Sequence, residues 1–193
     1  MINKSDFTKL QKEIESFDNA REKLIGKSRD VVQLSKKVIY AVHRDQIHEA
    51  EKYRDSMKKE LAALKKLAEP HHALETSGSF NIAEQEFVEA ACFLDFAKNG
   101  KITPHSDLQV SIEAYLLGIC DLTGELLRKG INDSIKGNYQ TTVAIKDVVA
   151  ELYGELMQFD FRNGEIRRKF DSIKYALNKL EDVVLELKLG GKI

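Results

Sequence analysis

Proline, cysteine and long apolar runs are all scarce in this chain. Its 193 residues include two prolines, Pro70 and Pro104, and two cysteines, Cys92 and Cys120. So few prolines leave most of the backbone free to bond within helices. Two cysteines inside apolar stretches read as small buried hydrophobes in a reducing compartment, not as a disulfide framework. No apolar run approaches about 18 residues, so no membrane span is expected. The first residues, Met1 to Asp6, lack the apolar stretch of a secretory signal, and the expected location is the cytoplasm. Charge of one sign is not in excess either. Lys and Arg number 30 and Asp and Glu 31, for a formal net charge of -1. The chain as a whole therefore has no polyelectrolyte attraction for nucleic acid, and any basic surface must be local. No P-loop, nucleophile elbow or zinc motif is present.

What is present is helical periodicity nearly from end to end, without strand-like alternation. Charged residues make up 32% of the chain, which is high for a globular protein. Breaks are expected at Gly26-Lys27-Ser28, near Pro70 and Gly78, from Asn99-Gly100 to Pro104, at Lys136-Gly137-Asn138 and at Asn163-Gly164. Asp6, Ser28, Ser79, Ser106 and Asn163 are the candidate N-caps, and Gly190-Gly191 the candidate C-cap. No repeat or linker interrupts the pattern. The expected architecture is all-α, a bundle of about seven helices in which residues 1–193 form one domain.

Four acids stand out on two of the expected helices. On the helix from Phe80 to Lys98, Ile82, Glu86, Glu89, Phe93 and Phe96 share a stripe, while Glu84, Asp95 and Lys98 lie opposite, on the expected water face. On the helix from Ser106 to Ile135, Asp121, Glu125, Arg128 and Asn132 form one polar line in an otherwise apolar surface, flanked by Gly118 and Gly124. Two charges about 5 Å apart in a partly buried cleft repel by roughly 3 kcal/mol at an effective dielectric of about 20. Four such acids need a counter-charge or raised pKa values. Two readings meet that need. Arg128 and nearby lysines can neutralise the acids in a structural network. Alternatively, the acids hold a divalent cation. With oxygen donors and no Glu-x-x-His pair, that cation would be Mg²⁺ or Mn²⁺ in preference to iron or zinc.

Arg29, Lys36, Lys37, Tyr40 and Arg44 recur near seven-residue spacing. Such a stripe is either a solvated helix face or a surface for a nucleic-acid backbone with a stacking aromatic. Arg167-Arg168-Lys169, near a helix start, is a weaker candidate for such a surface and reads first as surface solvation. His71-His72 is a poor acid–base pair, because adjacent side chains diverge. In the last helix Ile166, Phe170, Ile173, Leu177, Leu180, Val184 and Leu187 follow heptad spacing, with Val183, Leu185 and Leu189 outside the seam. Internal packing and a subunit interface both fit this pattern.

Three stretches resemble the translin/Trax family, and its Trax branch more than translin. Lys27-Ser28-Arg29-Asp30 through His43-Arg44 resembles the family's Ser-Arg-Asp…Ser-Lys-Arg…His-Arg helix. Gln85-Glu86-Phe87-Val88-Glu89-Ala90 resembles a Trax Gln-Glu-Tyr-Val-Glu-Ala. Tyr115-Leu116-Leu117-Gly118-Ile119-Cys120-Asp121-Leu122-Thr123-Gly124-Glu125-Leu126 is similar to Trax's Tyr-Leu-Leu-Gly-Val-Ala-Asp-Leu-Thr-Gly-Glu-Leu. The resemblance implies a hollow, roughly octameric shell of all-α subunits. It also implies metal-binding catalytic acids at Glu86, Glu89, Asp121 and Glu125. The long Trax insertion before the Tyr-Leu-Leu-Gly helix is missing here, which suggests a compact, prokaryotic-type single-gene relative whose identical subunits both bind and cut.

The resulting expectation is a Mg²⁺-dependent endoribonuclease, with Mn²⁺ as an alternative metal, cutting single-stranded or unpaired RNA inside a homo-oligomer. Single-stranded DNA is a further candidate ligand. Arg29, Lys36, Lys37, Arg44 and Arg128 are the expected RNA contacts. The competing expectation is a translin-like shell that binds single strands without cutting them.

Overall fold

The computed structural model describes residues 2–193. Among them there are eight helices and no strand: α1 (Lys4–His43), α2 (Ile47–Ala68), α3 (His72–Glu75), α4 (Gly78–Asn99), α5 (His105–Leu108), α6 (Ile112–Ile135), α7 (Tyr139–Leu156) and α8 (Glu165–Leu189). Six are long and two are single turns, which matches the expected all-α bundle. None is long and apolar enough to cross a membrane.

α1 runs unbroken through Gly26-Lys27-Ser28, where a break was expected. A glycine inside a helix costs about 1 kcal/mol relative to alanine. Here Leu24, Val31, Val38 and Val42 are fully buried on one stripe of α1, and each such burial contributes about 1.5–3 kcal/mol. Packing therefore outweighs the glycine, and Ser28 becomes a buried mid-helix residue instead of a cap. The chain turns instead at Asp45, which adopts φ 59 and is held by Lys136 at 2.6 Å. No glycine or proline marks that turn in the sequence.

The caps lie close to the expected ones but not on them. Asn3 caps α1, leaving Asp6 in its first turn, where an acid favours the helix dipole. Ser77 caps α4 and Ser111 caps α6, each with extended backbone and a hydroxyl accepting from the third amide onward. Gly164 precedes α8. The helix expected from Ser106 starts at Ile112, because Gln109 takes φ 53 and separates the short α5 from α6. At the far end Gly190 caps α8 as expected.

The helices form two packed groups. α1 lies against α2 and α4; α6 lies against α7 and α8; α4 and α6 join the groups. A Cβ at Gly118 would come within 2.7 Å of both the Gln85 carbonyl oxygen and Val88 Cβ, so glycine is what lets α4 and α6 approach this closely. Gly124, by contrast, faces open space. The heptad seam of α8 packs internally: Phe170, Ile173, Leu180 and Val184 are buried, whereas Leu185 and Leu189 are exposed. Cys92 and Cys120 are buried free thiols, and burial pushes both up to about 12. At the other end of the chain, residues 2–16 are all exposed, including Phe7, Leu10 and Ile14 on α1.

Candidate functional site: an acidic seam between α4 and α6

Glu86 and Glu89 on α4 meet Asp121 and Glu125 on α6 at the seam that Gly118 closes. All four are half-buried. Their mutual approach is read from Glu89. Its pKa is raised from 4.5 to about 8, first by burial, then by the charges of Asp121, Glu86 and Glu125, with Lys169 acting in the opposite direction.

Three of the acids have protein partners. Glu86 accepts a hydrogen bond from the Ser35 hydroxyl at 2.7 Å. Asp121 accepts from the Gln85 amide and from the Lys169 ammonium, at 2.9 and 2.6 Å to its two oxygens. Glu125 meets Nε2 of His43, whose ring is only 6% exposed and whose buried Nδ1 has no partner. Glu89 is paired with no cation. As arranged, no three His, Cys, Asp or Glu side chains among the described residues are gathered tightly enough to hold a metal. The donor set nonetheless suits Mg²⁺ or Mn²⁺: carboxylate oxygens from two helices, with Glu89 raised to about 8 by burial and by its acid neighbours.

Ser35, Gln85, His43 and Lys169 were missed as site residues. Ser35 and His43 interrupt the apolar stripe of α1, a signal visible in the sequence. Lys169 was assigned to surface solvation, but α8 brings it onto Asp121 across 48 residues of chain. That contact is tertiary and has no local signature. Arg128 lies 3.8 Å from Glu125 and is half exposed, a loose i,i+3 pair.

The expected water face of α4 is inverted at its start. Glu84 is buried, taking the Lys65 ammonium and the Ser111 amide, each at 3.0 Å. Ile82, expected on the core stripe, is 52% exposed. α4 is enclosed on several sides, so hydrophobicity alone did not identify which side meets water.

The basic stripe of α1 is exposed along its length and divides in use. Arg29 and Lys36 flank a groove of about 370 Å³ that Ser79 and Ile82 of α4 line from the other side. Glu86 lies one helical turn beyond Ile82 on α4, outside the groove's lining. Lys37 leans over Tyr53 of α2, at 5.7 Å from its ring centre, and Arg44 covers Tyr40 at 5.1 Å.

The fold and the seam together define an all-helical protein with four half-buried acids at the junction of its two helical groups and a groove on α1 and α4 flanked by Arg29 and Lys36. The chain belongs to the Translin family, whose family model matches residues 19–191. Translin-associated protein X of Pongo abelii is 27% identical over 227 residues, spanning 96% of this chain and 78% of that protein. Translin of Gallus gallus is 32% identical, but over only 82 residues, 42% of this chain. Similarity to Trax thus runs the length of the chain, as its motifs indicated. The aligned span also exceeds the 193 residues of this chain, as a relative carrying insertions requires. Among solved structures, apo-NeC3PO superposes with a TM-score of 0.88 at 27% identity, covering 96% of this chain and 97% of that one. AfC3PO in complex with duplex RNA superposes with a TM-score of 0.87 at 26% identity over the same shares.

Proposed function

We propose that this protein is a metal-dependent endoribonuclease that cuts RNA at the α4–α6 seam. The observation carrying this reading is the convergence of Glu86, Glu89, Asp121 and Glu125, with Glu89 lifted to about 8. A carboxyl perturbed by burial and by like charges around it is a candidate working group. These four carboxyls would hold Mg²⁺ or Mn²⁺. When bound, such an ion supplies Lewis acidity toward phosphoryl oxygens and charge to offset the acids.

The chain's own groups have separate tasks. Ser35, Gln85 and His43 orient the carboxyls of Glu86, Asp121 and Glu125. Glu89 holds a proton on its carboxyl at neutral pH and can exchange it as the local charge changes. Arg29 and Lys36 bind the RNA backbone along the groove, and Lys37 and Arg44 extend that surface. Arg128 reaches the phosphate nearest Glu125. Water attacks phosphorus and the P–O3′ bond breaks, the 3′-oxygen leaving with a proton, so the products carry 5′-phosphate and 3′-hydroxyl ends. Assembly into a homo-oligomer would cover the exposed Phe7, Leu10 and Ile14 of α1 and Leu185 and Leu189 of α8. The duplex RNA held by the AfC3PO structure makes double strands a necessary comparison with the single-stranded RNA and DNA expected from the sequence.

A second reading has its own support. Lys169, Ser35 and His43 each engage one of the acids, as a structural network would. The protein would then bind nucleic acid without cutting it. Labelled single-stranded RNA, duplex RNA and single-stranded DNA, incubated with the protein in Mg²⁺, in EDTA, and with Glu89→Ala in Mg²⁺, separates the two. Cleavage by wild type with metal alone supports the nuclease. Uncut RNA bound with salt-sensitive affinity supports the binder. Ends bearing 2′,3′-cyclic phosphate would exclude water as the nucleophile.

A further inference from the structure

The acid seam already contains a cation of its own. Lys169 lies in the second turn of α8, a helix that packs on α6 and α7. Its backbone is fixed by its neighbour: Phe170 is buried, stacked on Tyr153 at 5.4 Å and tilted against Phe161 at 5.6 Å. The side chain beyond it is a flexible four-carbon stem. Its side chain is 25% exposed, and its ammonium touches only Asp121 among the acids. The only ion pair formed by this ammonium among the described residues reaches across to α6, to Asp121. The acids draw it there.

One ammonium is a poor match for four carboxyls. It bonds the two oxygens of Asp121 and reaches none of the other three acids. A divalent cation brings twice the charge and several coordination positions. Lysine is also the more replaceable kind of partner. It is a compact point charge on a flexible stem, without the two-pronged grip of arginine.

We propose that Lys169 is an exchangeable counter-ion: it neutralises Asp121 until a divalent cation binds the four acids, and the cation then displaces it from that carboxylate. This inference rests on reading the acids as a metal site. It assigns Lys169 a positioning role, competing with the metal and holding Asp121 near the other acids in the meantime.

The test is Mn²⁺ binding to the intact protein without RNA, followed by the electron paramagnetic resonance signal of free Mn²⁺. Wild type, Lys169→Met and Lys169→Arg are compared. Removing the ammonium frees Asp121, so Lys169→Met should bind Mn²⁺ about tenfold more tightly. Lys169→Arg keeps the charge and grips the carboxylate with two N–H groups, so it should bind several-fold more weakly than wild type. Lys169→Arg also answers the question if Lys169→Met fails to fold, since its charge balance is unchanged. Saturating Mn²⁺ should raise the melting temperature of Lys169→Met by more than that of wild type. Equal affinities across the series, or weaker binding by Lys169→Met, would overturn the exchange and leave the metal site standing. No Mn²⁺ bound by any of the three would remove the metal site and the exchange with it.

Discussion

Glu84 and Glu89 lie on the same helix and have opposite circumstances. Glu84 is almost wholly enclosed, yet it has a lysine and a backbone amide for its two oxygens. It ties α4 to α2 and to the start of α6. Glu89 is less enclosed, yet it has no cation of its own and three acids for neighbours. The contrast separates burial from perturbation. A carboxylate buried with full pairing is a structural tie. A carboxylate left unpaired among like charges stores free energy that a ligand can release.

Four predictions can break or sharpen this contrast. The largest effect is expected on chemistry at Glu89. Glu89→Gln should lower the rate of RNA cleavage by about 10²–10⁴-fold, while its urea midpoint stays at or above that of wild type at neutral pH. A variant that still cuts normally would place the chemistry elsewhere.

Glu84→Ala should do the reverse. It leaves Lys65 and the Ser111 amide without their acceptor, and stability should fall by about 3 kcal/mol, the low end for a broken buried pair because Lys65 is one-third exposed. Cleavage by the fraction that remains folded should be close to normal. An unchanged denaturation curve would show that Glu84 is not the tie described.

Gly118→Ala affects both acids' surroundings. The new Cβ meets a backbone carbonyl and Val88, so α4 and α6 must separate. The expected cost is about 1–3 kcal/mol, accompanied by lost cleavage. Gly124→Ala is its control. That site is open, so the change should stabilise the protein by about 0.4–1 kcal/mol.

The pH dependence sharpens the contrast further. Glu89 has an ordinary pKa of 4.5 and a folded value of about 8. Between those values the folded chain binds more protons than the unfolded one. In metal-free buffer its contribution to stability is therefore intact below about pH 4.5 and is lost as pH rises through about 8. The slope should be at most about 1.4 kcal/mol per pH unit. Urea titrations of wild type and Glu89→Gln check this, since the difference between the two curves isolates Glu89.

Much of the fold was legible because its determinants are local. Helical periodicity, the breaks at Gly100, Gly137 and Gly164, and the sharing of one helix face by Glu86 with Glu89 and by Asp121 with Glu125 follow from spacing on single helices. What the sequence hid depends on packing between helices. Gly26 looks like a break until its neighbours Leu24 and Val31 are buried. Asp45 looks like helix until Lys136 holds it in a left-handed turn. Glu84 looks solvated until the chain after α5 folds over it. Lys169 looks like one of three surface cations until α8 brings it to Asp121. The hidden residues include the partners that set the charge of the site, so its chemistry was less legible than its location.

The first turns of α1 have a consequence for hydrogen exchange. From Lys4 to Ser16 the helix has no buried residue to hold it, and a helical segment of that length is marginal in water on its own. Its amides should exchange within the dead time of an ordinary labelling experiment, with protection rising steeply between Phe17 and Leu24, where α1 enters the core. That boundary divides a chain alone from a chain in an assembly. Subunit contacts on Phe7, Leu10 and Ile14 would carry protection back toward the N-terminus, and dilution would erase it.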